Sequence, residues 1–401
     1  MLAPSGVFDL GVRPPGLRLA TFPPHVLFLY LGRRGLSRFT LELARSVAAM
    51  KHVRATFCVS RQNEMFPAFA SVGCGVLPVD TFARASGALV HGYRVPKLCR
   101  AVLDELGRQR STAVITLMPH VWTPLIAPLI RRRGYRYLTV FHDAQPHPGD
   151  LSGLINGWSM RDARDANAVV TLSRSVASAL AASGAVPPTR LAPLFHPDLN
   201  FAGRSGGFDT AASAPVAWPF RIMFFGRIMA YKGLPTLVAA VERLRSEGLR
   251  IELGVFGEGP LGPLSARLAA LGAEVENRWI ADSEVAQILA RHHAVALAHS
   301  ECSQSGVAAA ALGAGLPVVA SPTGGLAEQV TDGITGVLTA GTDPASLAAA
   351  IRRLATDRRL YVAICGHIRR TAWERSMPRF AEHLVALATG TAAQPQHRTW
   401  V

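Results

Sequence analysis

Short apolar segments rich in β-branched residues alternate with helical patterns along most of the chain. Runs that are apolar on both faces indicate central strands of parallel sheets, and their alternation with helices indicates sheets covered by helices. The pattern therefore predicts an α/β protein with doubly wound parallel sheets. The predicted strands cover residues 25–31, 55–60, 112–118, 137–143 and 168–173, and then 220–226, 250–257, 294–300 and 316–321.

The alternation breaks once, at residues 201–219, a stretch rich in Gly, Ala, Ser and Pro without periodicity. Such a stretch is typical of a linker. It predicts two doubly wound domains, residues 1–200 and 220–375, that face each other across a cleft. Residues 376–401 are predicted to form a C-terminal helix that packs back on the N-terminal domain, followed by a frayed tail. Ligands of such folds bind at the carboxyl ends of the strands.

The composition allows two cores and favours anionic partners. The chain has 401 residues, 49% of them hydrophobic, and 42 Lys and Arg against 27 Asp and Glu give a formal net charge of +15. A field of this sign attracts nucleotides, polyphosphates or acidic lipid headgroups, although a generally Arg-rich composition is a competing explanation. No RRM, KH or helix-turn-helix signature is present, so nucleic acid is not expected as a partner.

The cysteines and the apolar runs indicate a cytoplasmic protein. Five cysteines are scattered without metal-ligand spacing, which favours reduced thiols. No uncharged apolar run approaches the length of a membrane span, and the first residues lack a signal-like order. A peripheral contact with the inner face of the plasma membrane stays open. Its candidate is the basic stretch with Arg131, Arg132, Arg133 and Arg136, which is equally explained as a solvated helix end.

A polar loop before an alanine-rich helix is the strongest chemical signal. Gln304, Ser305 and Gly306 precede this helix, whose first amides have no partner within it and, with the helix dipole, bind phosphate oxygens. Arg227 and Lys232 follow another predicted strand in FFGRIMAYKG. Two cations and a bare helix start predict a diphosphate pocket; a plain helix cap and surface cations are the competing interpretations.

The segment GEGPLG formally matches the dinucleotide fingerprint through Gly257, Gly259 and Gly262. Pro260 lies inside the loop, and no acidic residue closes a following strand at the expected distance. The match is therefore a weak indication of an NAD site.

The C-terminal half resembles the family 4 glycosyltransferases of the GT-B fold, the glycosyl transferases group 1. The matching segments are FFGRIMAYKG, VFGEGP, ENRWIADSEVAQILARHHAVALAHSE and the run from SQSGV to TGGLAEQVTDGITGVL, with weaker matches in YLGRRGLSRFT, FHDAQPHPGD and VVTLSRSVASAL. The resemblance implies two Rossmann-like domains, with the acceptor side in the N-terminal one. It further implies a retaining, metal-independent enzyme without a cofactor, which moves a sugar from a nucleotide-sugar donor to a glycan or lipid-linked acceptor.

The resemblance also assigns a donor site. Arg227 and Lys232 would neutralise the leaving diphosphate, the amides of Ser305, Gly306 and Val307 would cradle phosphate, and Glu301 would contact sugar hydroxyls. Solvated exposure is the competing explanation for the Glu301 carboxylate. The complete donor set is Gly226, Arg227, Lys232, Gly257, Glu301, Gln304, Ser305, Gly306 and Val307.

In the N-terminal half, the resemblance places His142 beside the donor sugar, although a strand-end histidine is often structural. A glycine-containing turn after the first strand would approach donor phosphate or acceptor. The turn is represented by Gly32, Arg33 and Gly35, and the further polar candidates are Asp143, His147 and His120.

One position departs from the family pattern. The second glutamate of the family's motif, which holds the nucleotide ribose, is replaced by Ala310, and the spacing from Glu301 is one residue longer than usual. This SQSGV variant resembles bacterial polysaccharide-assembly transferases. The alternatives are an inactive transferase-like scaffold and a nucleotide-sugar 2-epimerase, although Glu301 alone is a poor set of acid and base groups for epimerisation.

Overall fold

The computed structural model describes residues 22–83, 86–144, 153–201 and 219–391, with the backbone alone for 153–156. A first parallel sheet occupies the N-terminal half. Its strands are β1 (His25–Tyr30), β2 (Arg54–Ser60), β3 (Gly75–Val79), β4 (Ala113–Thr116), β5 (Arg136–Phe141), β6 (Ala168–Thr171) and β7 (Leu191–Pro193). They lie in the order β3-β2-β1-β4-β5-β6-β7, so the winding direction reverses between β1 and β4.

Helices cover both faces of this sheet, and a hydrophobic cluster lies on each face. They are α1 (Ser37–Ala48), α2 (Gly87–Val90), α3 (Val95–Gln109), α4 (Thr123–Arg132), α5 (Gly153–Asp165) and α6 (Arg174–Ala182). Every residue of β1 is buried, as expected of an apolar central strand.

A second parallel sheet occupies the C-terminal half. Its strands are β8 (Phe220–Phe225), β9 (Ile251–Phe256), β10 (Glu274–Glu276), β11 (Ala294–Leu297), β12 (Val318–Ala320) and β13 (Gly336–Leu338). Their order is β10-β9-β8-β11-β12-β13, with the reversal between β8 and β11. The helices here are α7 (Leu234–Ser246), α8 (Leu264–Ala270), α9 (Asp282–Ala290), α10 (Gly306–Gly313), α11 (Leu326–Gln329), α12 (Pro344–Thr356) and α13 (Arg358–Arg370).

The last described helix, α14 (Met377–Thr389), packs on the first sheet. Phe380 is fully buried there, with its ring 5.5 Å from that of Phe39 and 5.9 Å from that of Phe195. We call the first sheet with α1–α6 and α14 the N-lobe, and the second sheet with α7–α13 the C-lobe. The chain therefore completes its N-lobe with a segment that follows the C-lobe in sequence.

A segment after β7 lies against the C-lobe. The amide of Leu199 donates to the carbonyl of Ala309 at 3.1 Å. A Cβ on Gly313 would lie 2.3 Å from the carbonyl oxygen of Leu199, so glycine is needed where this segment crosses α10. Asp198 pairs with Arg375 at 3.0 Å, and burial raises the pKa of this carboxyl to about 7, against the opposing Arg375 charge.

The α/β class with two doubly wound sheets is confirmed, and each of the nine predicted strands is present. The pattern missed β3, β7, β10 and β13. Most of the predicted linker, residues 202–218, lies outside the described residues, as does the tail from residue 392. The proposed domain limits stay predictions.

Candidate active site

The candidate residues follow the central strands of both sheets. In the C-lobe, Gly226 comes directly after β8, Gly257 after β9, and residues 299–307 after β11. In the N-lobe, the turn at residues 32–35 follows β1 and His142 follows β5. The carboxyl ends of adjacent parallel strands on either side of a winding reversal form a crevice, which is where ligands of such sheets bind.

Lys232 meets the start of α10 beside Gly226. Its Nζ lies 3.1 Å from the position that a Cβ on Gly226 would take, and Cγ2 of Val307 lies 3.5 Å from the same point. Burial, and to a smaller extent the charge of Arg227, lower the pKa of Lys232 to about 8. The half-buried ammonium thus lacks a full hydration shell, and an anion in the crevice would restore its lost stabilisation.

The backbone beside this lysine is unusually close to that of β9. Gly257 has a φ of 146°, and a Cβ on it would lie 2.1 Å from the carbonyl oxygen of Gly226. Only glycine fits this approach. The two glycines therefore bring the ends of β8 and β9 together and keep side chains out of the floor of the crevice.

The N-terminus of α10 presents open amides. Ser305 caps the helix, with its Oγ accepting from the amide of Ala308 at 3.1 Å. Within the described part of the chain, the amides of Gly306 and Val307 donate to no partner. Gly306 is exposed. These two amides can bind an anion, as the helix dipole also favours.

Gln329 fixes the capping residue from outside the helix. Its Oε1 accepts from the amide of Ser305 at 2.7 Å, and its Nε2 donates to the carbonyl of Ser305 at 3.1 Å. Both hydrogen bonds orient the turn that carries the open amides. The amide of Ser305, which the resemblance assigned to the phosphate, is therefore already occupied, and only those of Gly306 and Val307 are open. We call residues 305–307 the anion cradle.

Charges from both lobes converge around Cys302. Burial, with the charges of Asp143 in the N-lobe and of Glu301, raises the pKa of its thiol to about 12, and the charge of Lys232 opposes this rise. The three charged groups therefore lie within electrostatic range of one thiol. Glu301 is exposed, and the Oε1 of Gln304 is buried with no partner among the described residues.

His142 is a buried, neutral ring. Its Nε2 lies 3.0 Å from the carbonyl of Leu117 and therefore donates, and its edge packs against Phe39 at 5.9 Å between centroids. Burial lowers the pKa of His142, while the Leu117 hydrogen bond and the charge of Asp143 raise it. The histidine directly follows β5 at the crevice, and the fold also uses it for packing.

The other N-lobe candidates separate from one another. Burial lowers the pKa of His120 to about 4, and its ring packs 5.0 Å from that of Phe82 and 5.6 Å from that of Trp122. These contacts make packing its visible role. His147 lies outside the described residues.

In the turn after β1, the structure favours Arg34 over Arg33. Arg33 donates to the carbonyl of Ala83 at 2.6 Å within the N-lobe. Arg34 has a φ of 57° and stacks across the cleft, 5.3 Å from the ring of Trp279 in the C-lobe. Gly32 faces the ring of Tyr30, whereas no atom lies within 4 Å of a Cβ on Gly35.

Hydrogen bonds cross from α6 to the C-lobe, and the sequence did not reveal them. Ser173 Oγ donates to the carbonyl of Ser303 at 2.8 Å. The carboxylate of Glu328 accepts from the amides of Arg174 and Ser175, both at 2.7 Å. The segments that contain these residues are among those that resemble the family. That resemblance was the only indication in the sequence that they matter, and it assigned them no role.

Neither position 310 nor the basic stretch at residues 131–136 places a polar side chain in the crevice. Ala310 is buried inside α10, so its position contributes no polar side chain to the crevice. The basic stretch begins at the C-terminal end of α4, where Arg131 bonds Asn167, and continues to the first residue of β5. It therefore lies at the amino edge of the first sheet, away from the crevice, and its contact with an anionic surface stays a prediction.

Within the described ranges, no group of three His, Cys, Asp or Glu residues could hold a metal ion. None of the helices described there combines the length and apolar character that crossing a bilayer requires.

Two family models match the chain. The model for glycosyl transferases group 1 covers residues 219–357, and the model for a glycosyl transferase 4-like domain covers residues 34–194. The first match spans most of the C-lobe with its anion cradle, and the second spans most of the N-lobe.

Two curated relatives illustrate the similarity. The D-inositol 3-phosphate glycosyltransferase of Geodermatophilus obscurus is 34% identical over 191 residues, which cover 44% of this chain and 42% of that protein. The glycogen synthase of Mycobacterium tuberculosis is 30% identical over 306 residues, which cover 72% of this chain and 70% of that protein. The chain thus aligns with less than half of the first relative and more than two thirds of the second.

Among solved structures, Anabaena HepE in complex with UDP-glucose has a TM-score of 0.68 and 17% identity, over 92% of this chain and 100% of that chain. Similarity at this level of identity shows the fold, which is GT-B. Since a relative is matched over more than two thirds of both sequences and the models cover both lobes, the chain belongs to the glycosyl transferases group 1 family.

Proposed function

We propose that the protein is a retaining glycosyltransferase that moves a sugar from a nucleotide-sugar donor to a glycan or lipid-linked acceptor in the assembly of cell-surface polysaccharide or glycolipid. The observation that carries the proposal is the meeting of Lys232, Gly226 and the start of α10 at the ends of β8 and β11. Family membership and the nucleotide-sugar held by HepE support the same class of donor.

The donor diphosphate binds in the anion cradle. The open amides of Gly306 and Val307 donate to the oxygens of one phosphate, and Lys232 with Arg227 supplies positive charge. A half-buried ammonium with a lowered pKa gains more from an anion than a solvated one, because it has already lost much of its hydration. The Gly226–Gly257 floor keeps side chains from blocking the diphosphate.

The same cations act during transfer. As the bond from the anomeric carbon to the diphosphate breaks, negative charge grows on the leaving oxygen, and Lys232 and Arg227 stabilise it without a metal ion or cofactor. The acceptor hydroxyl bonds to the anomeric carbon from the face that the diphosphate leaves, which retains configuration, and its proton passes to the departing phosphate oxygen. His142 and Glu301 contact the sugar from the two lobes.

The ribose is recognised without the usual glutamate, because Ala310 is apolar and buried. The absence of a glutamate at position 310 does not change the groups that would contact the diphosphate. We therefore expect an active enzyme rather than a scaffold, and the nucleobase must be identified by experiment.

The acceptor is anionic. Arg34 lies at the cleft with its guanidinium on Trp279, and Arg33 lies in the same turn. One relative is named a D-inositol 3-phosphate glycosyltransferase, and the phosphate in that name carries negative charge. Arginine suits such a group because its planar fork matches phosphate oxygens.

A membrane contact belongs on the cleft side of the N-lobe, on the cytoplasmic face of an anionic membrane. Three large apolar side chains of α2 and the following turn are exposed: Leu89 to 91%, Val90 to 68% and Tyr93 to 71%. Lys97 and Arg100 on α3 are exposed next along the chain. Exposed apolar groups beside cations suit anionic headgroups over an acyl surface.

Sedimentation with vesicles tests this contact. The pair of substitutions Leu89→Ser and Tyr93→Ser should abolish binding to phosphatidylglycerol vesicles, and phosphatidylcholine vesicles should bind weakly in every case. The control is Val362→Ser, which changes a half-exposed apolar residue of the C-lobe. Equal vesicle binding by the double variant and the parent would refute the contact.

The donor site is tested by thermal shift with UDP, GDP, TDP, ADP, CMP and NAD. One nucleoside diphosphate should stabilise the parent, and the stabilisation should be lost in Arg227→Ala and Lys232→Ala but kept in Lys51→Ala, an exposed control. Hydrolysis or transfer of the matching nucleotide-sugar should fall in the same two variants. If no nucleotide shifted the melting temperature, the inactive scaffold would be favoured. Unchanged turnover in both variants would refute the proposed mechanism.

A further inference from the structure

The N-terminus of α6 is capped by a residue of the other lobe. Glu328 accepts from the amides of Arg174 and Ser175, the first two of the helix, each at 2.7 Å. Ser173 caps the third open amide, that of Val176, at 3.2 Å. A carboxylate from the C-lobe therefore completes the helix start of the N-lobe and also interacts favourably with its dipole.

The neighbouring residue reaches the anion cradle. Gln329, which follows Glu328 in α11, holds both backbone groups of Ser305. Ser173 Oγ adds a direct bond from the N-lobe to the carbonyl of Ser303, two residues before the cradle. One short helical turn thus contacts α6 through one side chain and the cradle through the next.

We propose that Glu328 is a positioning residue that couples contact between the lobes to the arrangement of the anion cradle. When α6 meets Glu328, α11 is held in place, and Gln329 and Ser303 fix the turn with its open amides. When the lobes separate, α11 loses this restraint and the cradle binds anions less well. The inference rests on the proposed function for its ligand, a donor diphosphate.

The location of these bonds suits a contact that breaks and re-forms. Glu328 and Arg174 are exposed, so water competes for both partners whenever the lobes part. Charge-assisted bonds to backbone amides are stronger than neutral ones, yet exposure keeps their net contribution modest. We call the hydrogen bonds of Glu328 with the amides of Arg174 and Ser175 the latch. An interaction of this strength favours contact between the lobes but still allows them to separate.

The test compares Glu328→Gln with Arg174→Pro, which removes one donor from the N-lobe side. Proline is well tolerated at the first position of a helix, and Ser173 before it is already extended, with φ −153° and ψ 156°. Glu247→Gln is the control, since Glu247 pairs with Arg243 and Arg352 within the C-lobe. Binding of inorganic pyrophosphate and the radius of gyration in solution are measured for each protein.

Both latch variants should raise the pyrophosphate dissociation constant about fivefold and increase the radius of gyration, whereas the control matches the parent. Gln329→Ala should weaken pyrophosphate binding to a similar degree with an unchanged radius, because it acts between the latch and the cradle. If Glu328 had a merely structural role, its substitution would lower the melting temperature without changing the pyrophosphate dissociation constant and the radius of gyration in this pattern.

Two outcomes would overturn the proposal. Latch variants that keep the parent's radius and affinity would show that the contact is not used, and variants that open without losing affinity would show that it is not coupled to the cradle. If the parent itself bound neither pyrophosphate nor nucleotide, the proposed function would fail, while the radius comparison would still show whether Glu328 joins the lobes.

Discussion

Lys232 shows how the environment of a single residue tunes the site. Lysine was expected here from the motif, but its depth and its neighbours come from the turn at Ala230–Lys232 and from the α10 contact. Burial lowers its pKa to about 8, so the charge on which anion binding depends is present at neutral pH and lost in mildly alkaline solution. We therefore expect the affinity of the proposed site for an anion to depend on pH.

The expected consequence is a pH-dependent affinity for the nucleoside diphosphate that stabilises the protein. The anion binds the protonated lysine, so the dissociation constant should rise as pH increases through about 8. Titration calorimetry from pH 7 to 9.5 measures this rise. Lys232→Arg keeps its positive charge over this range and should show no such rise in the dissociation constant. The ligand titrates in the same way with both proteins, so comparing them at each pH removes its contribution. Parallel curves would contradict the assignment.

His25 illustrates a polar residue that the fold uses away from the site. Its Nδ1 lies 2.7 Å from Ser111 Oγ and its Nε2 3.0 Å from Thr56 Oγ1, and Thr56 in turn donates to Glu105 at 2.9 Å. Burial lowers its pKa to about 4, with help from Arg54 and Arg108. Burial and the two arginine charges, rather than the hydrogen bonds, therefore favour the neutral imidazole.

This histidine should make the protein less stable in acid. Between pH 6.5 and about 4 the unfolded chain binds a proton at His25 and the folded protein does not, so the free energy of unfolding falls as pH falls, by up to about 3 kcal/mol. Denaturant titrations from pH 7 to 4 should show a smaller fall in His25→Gln. His52→Gln, at an exposed position, should behave as the parent; a parent-like slope in His25→Gln would refute the argument.

At the scale of elements, the strands that the sequence missed are those at the sheet edges. β3 and β7 border the first sheet, and β10 and β13 border the second. Edge strands are covered on fewer sides, so they need no continuous apolar run, and β10 has no fully buried residue. Central strands are buried on both faces and for that reason stand out in the sequence. Periodicity detects burial, and pairing at an edge leaves a weaker pattern.

The α10 crossing gives a prediction at this scale. Gly313→Ala should destabilise the protein, because its Cβ would lie 2.3 Å from the Leu199 carbonyl and either α10 or the crossing segment must shift. The cost should be about 1–3 kcal/mol in the free energy of unfolding. Gly107→Ala in α3, where no atom lies within 4 Å of the new Cβ, is the matched control and should be neutral or stabilising. Equal melting temperatures for the two variants would contradict this.

At the scale of the whole molecule, the order of the chain differs from the order of the cores. The core cluster of the N-lobe contains Phe39 and Leu138 from the first half together with Phe380 and Leu384 from α14. The lobes are further bridged by Ser173 and Ser303 across the cleft. The core of the N-lobe therefore depends on residues that follow the C-lobe in the chain.

Phe380→Ala should lower the stability of the N-lobe selectively. Removing this fully buried ring leaves a cavity beside Phe39 and Phe195, at a cost of about 3–5 kcal/mol. Hydrogen exchange should show faster exchange in β1 and β4 than in β8 and β11. The companion variant Ile364→Ala, at a buried position of α13, should reverse the order. If the Phe380→Ala variant lost protection from exchange in the C-lobe first, the contribution of Phe380 to the N-lobe core would be refuted.

The sequence by itself determined the fold class, the central strands, the family, and the donor motifs that meet beside Gly226, because these depend on local patterns: apolar periodicity, glycine at tight turns and cations after strands. Only the tertiary structure decided which polar residues lie at the cleft. It put Arg34 rather than Arg33 against Trp279, packed His120 between aromatic rings, and joined α6 to Glu328. Such contacts join residues that are far apart in the chain. A local sequence pattern therefore does not predict which side chains the folded lobes bring together.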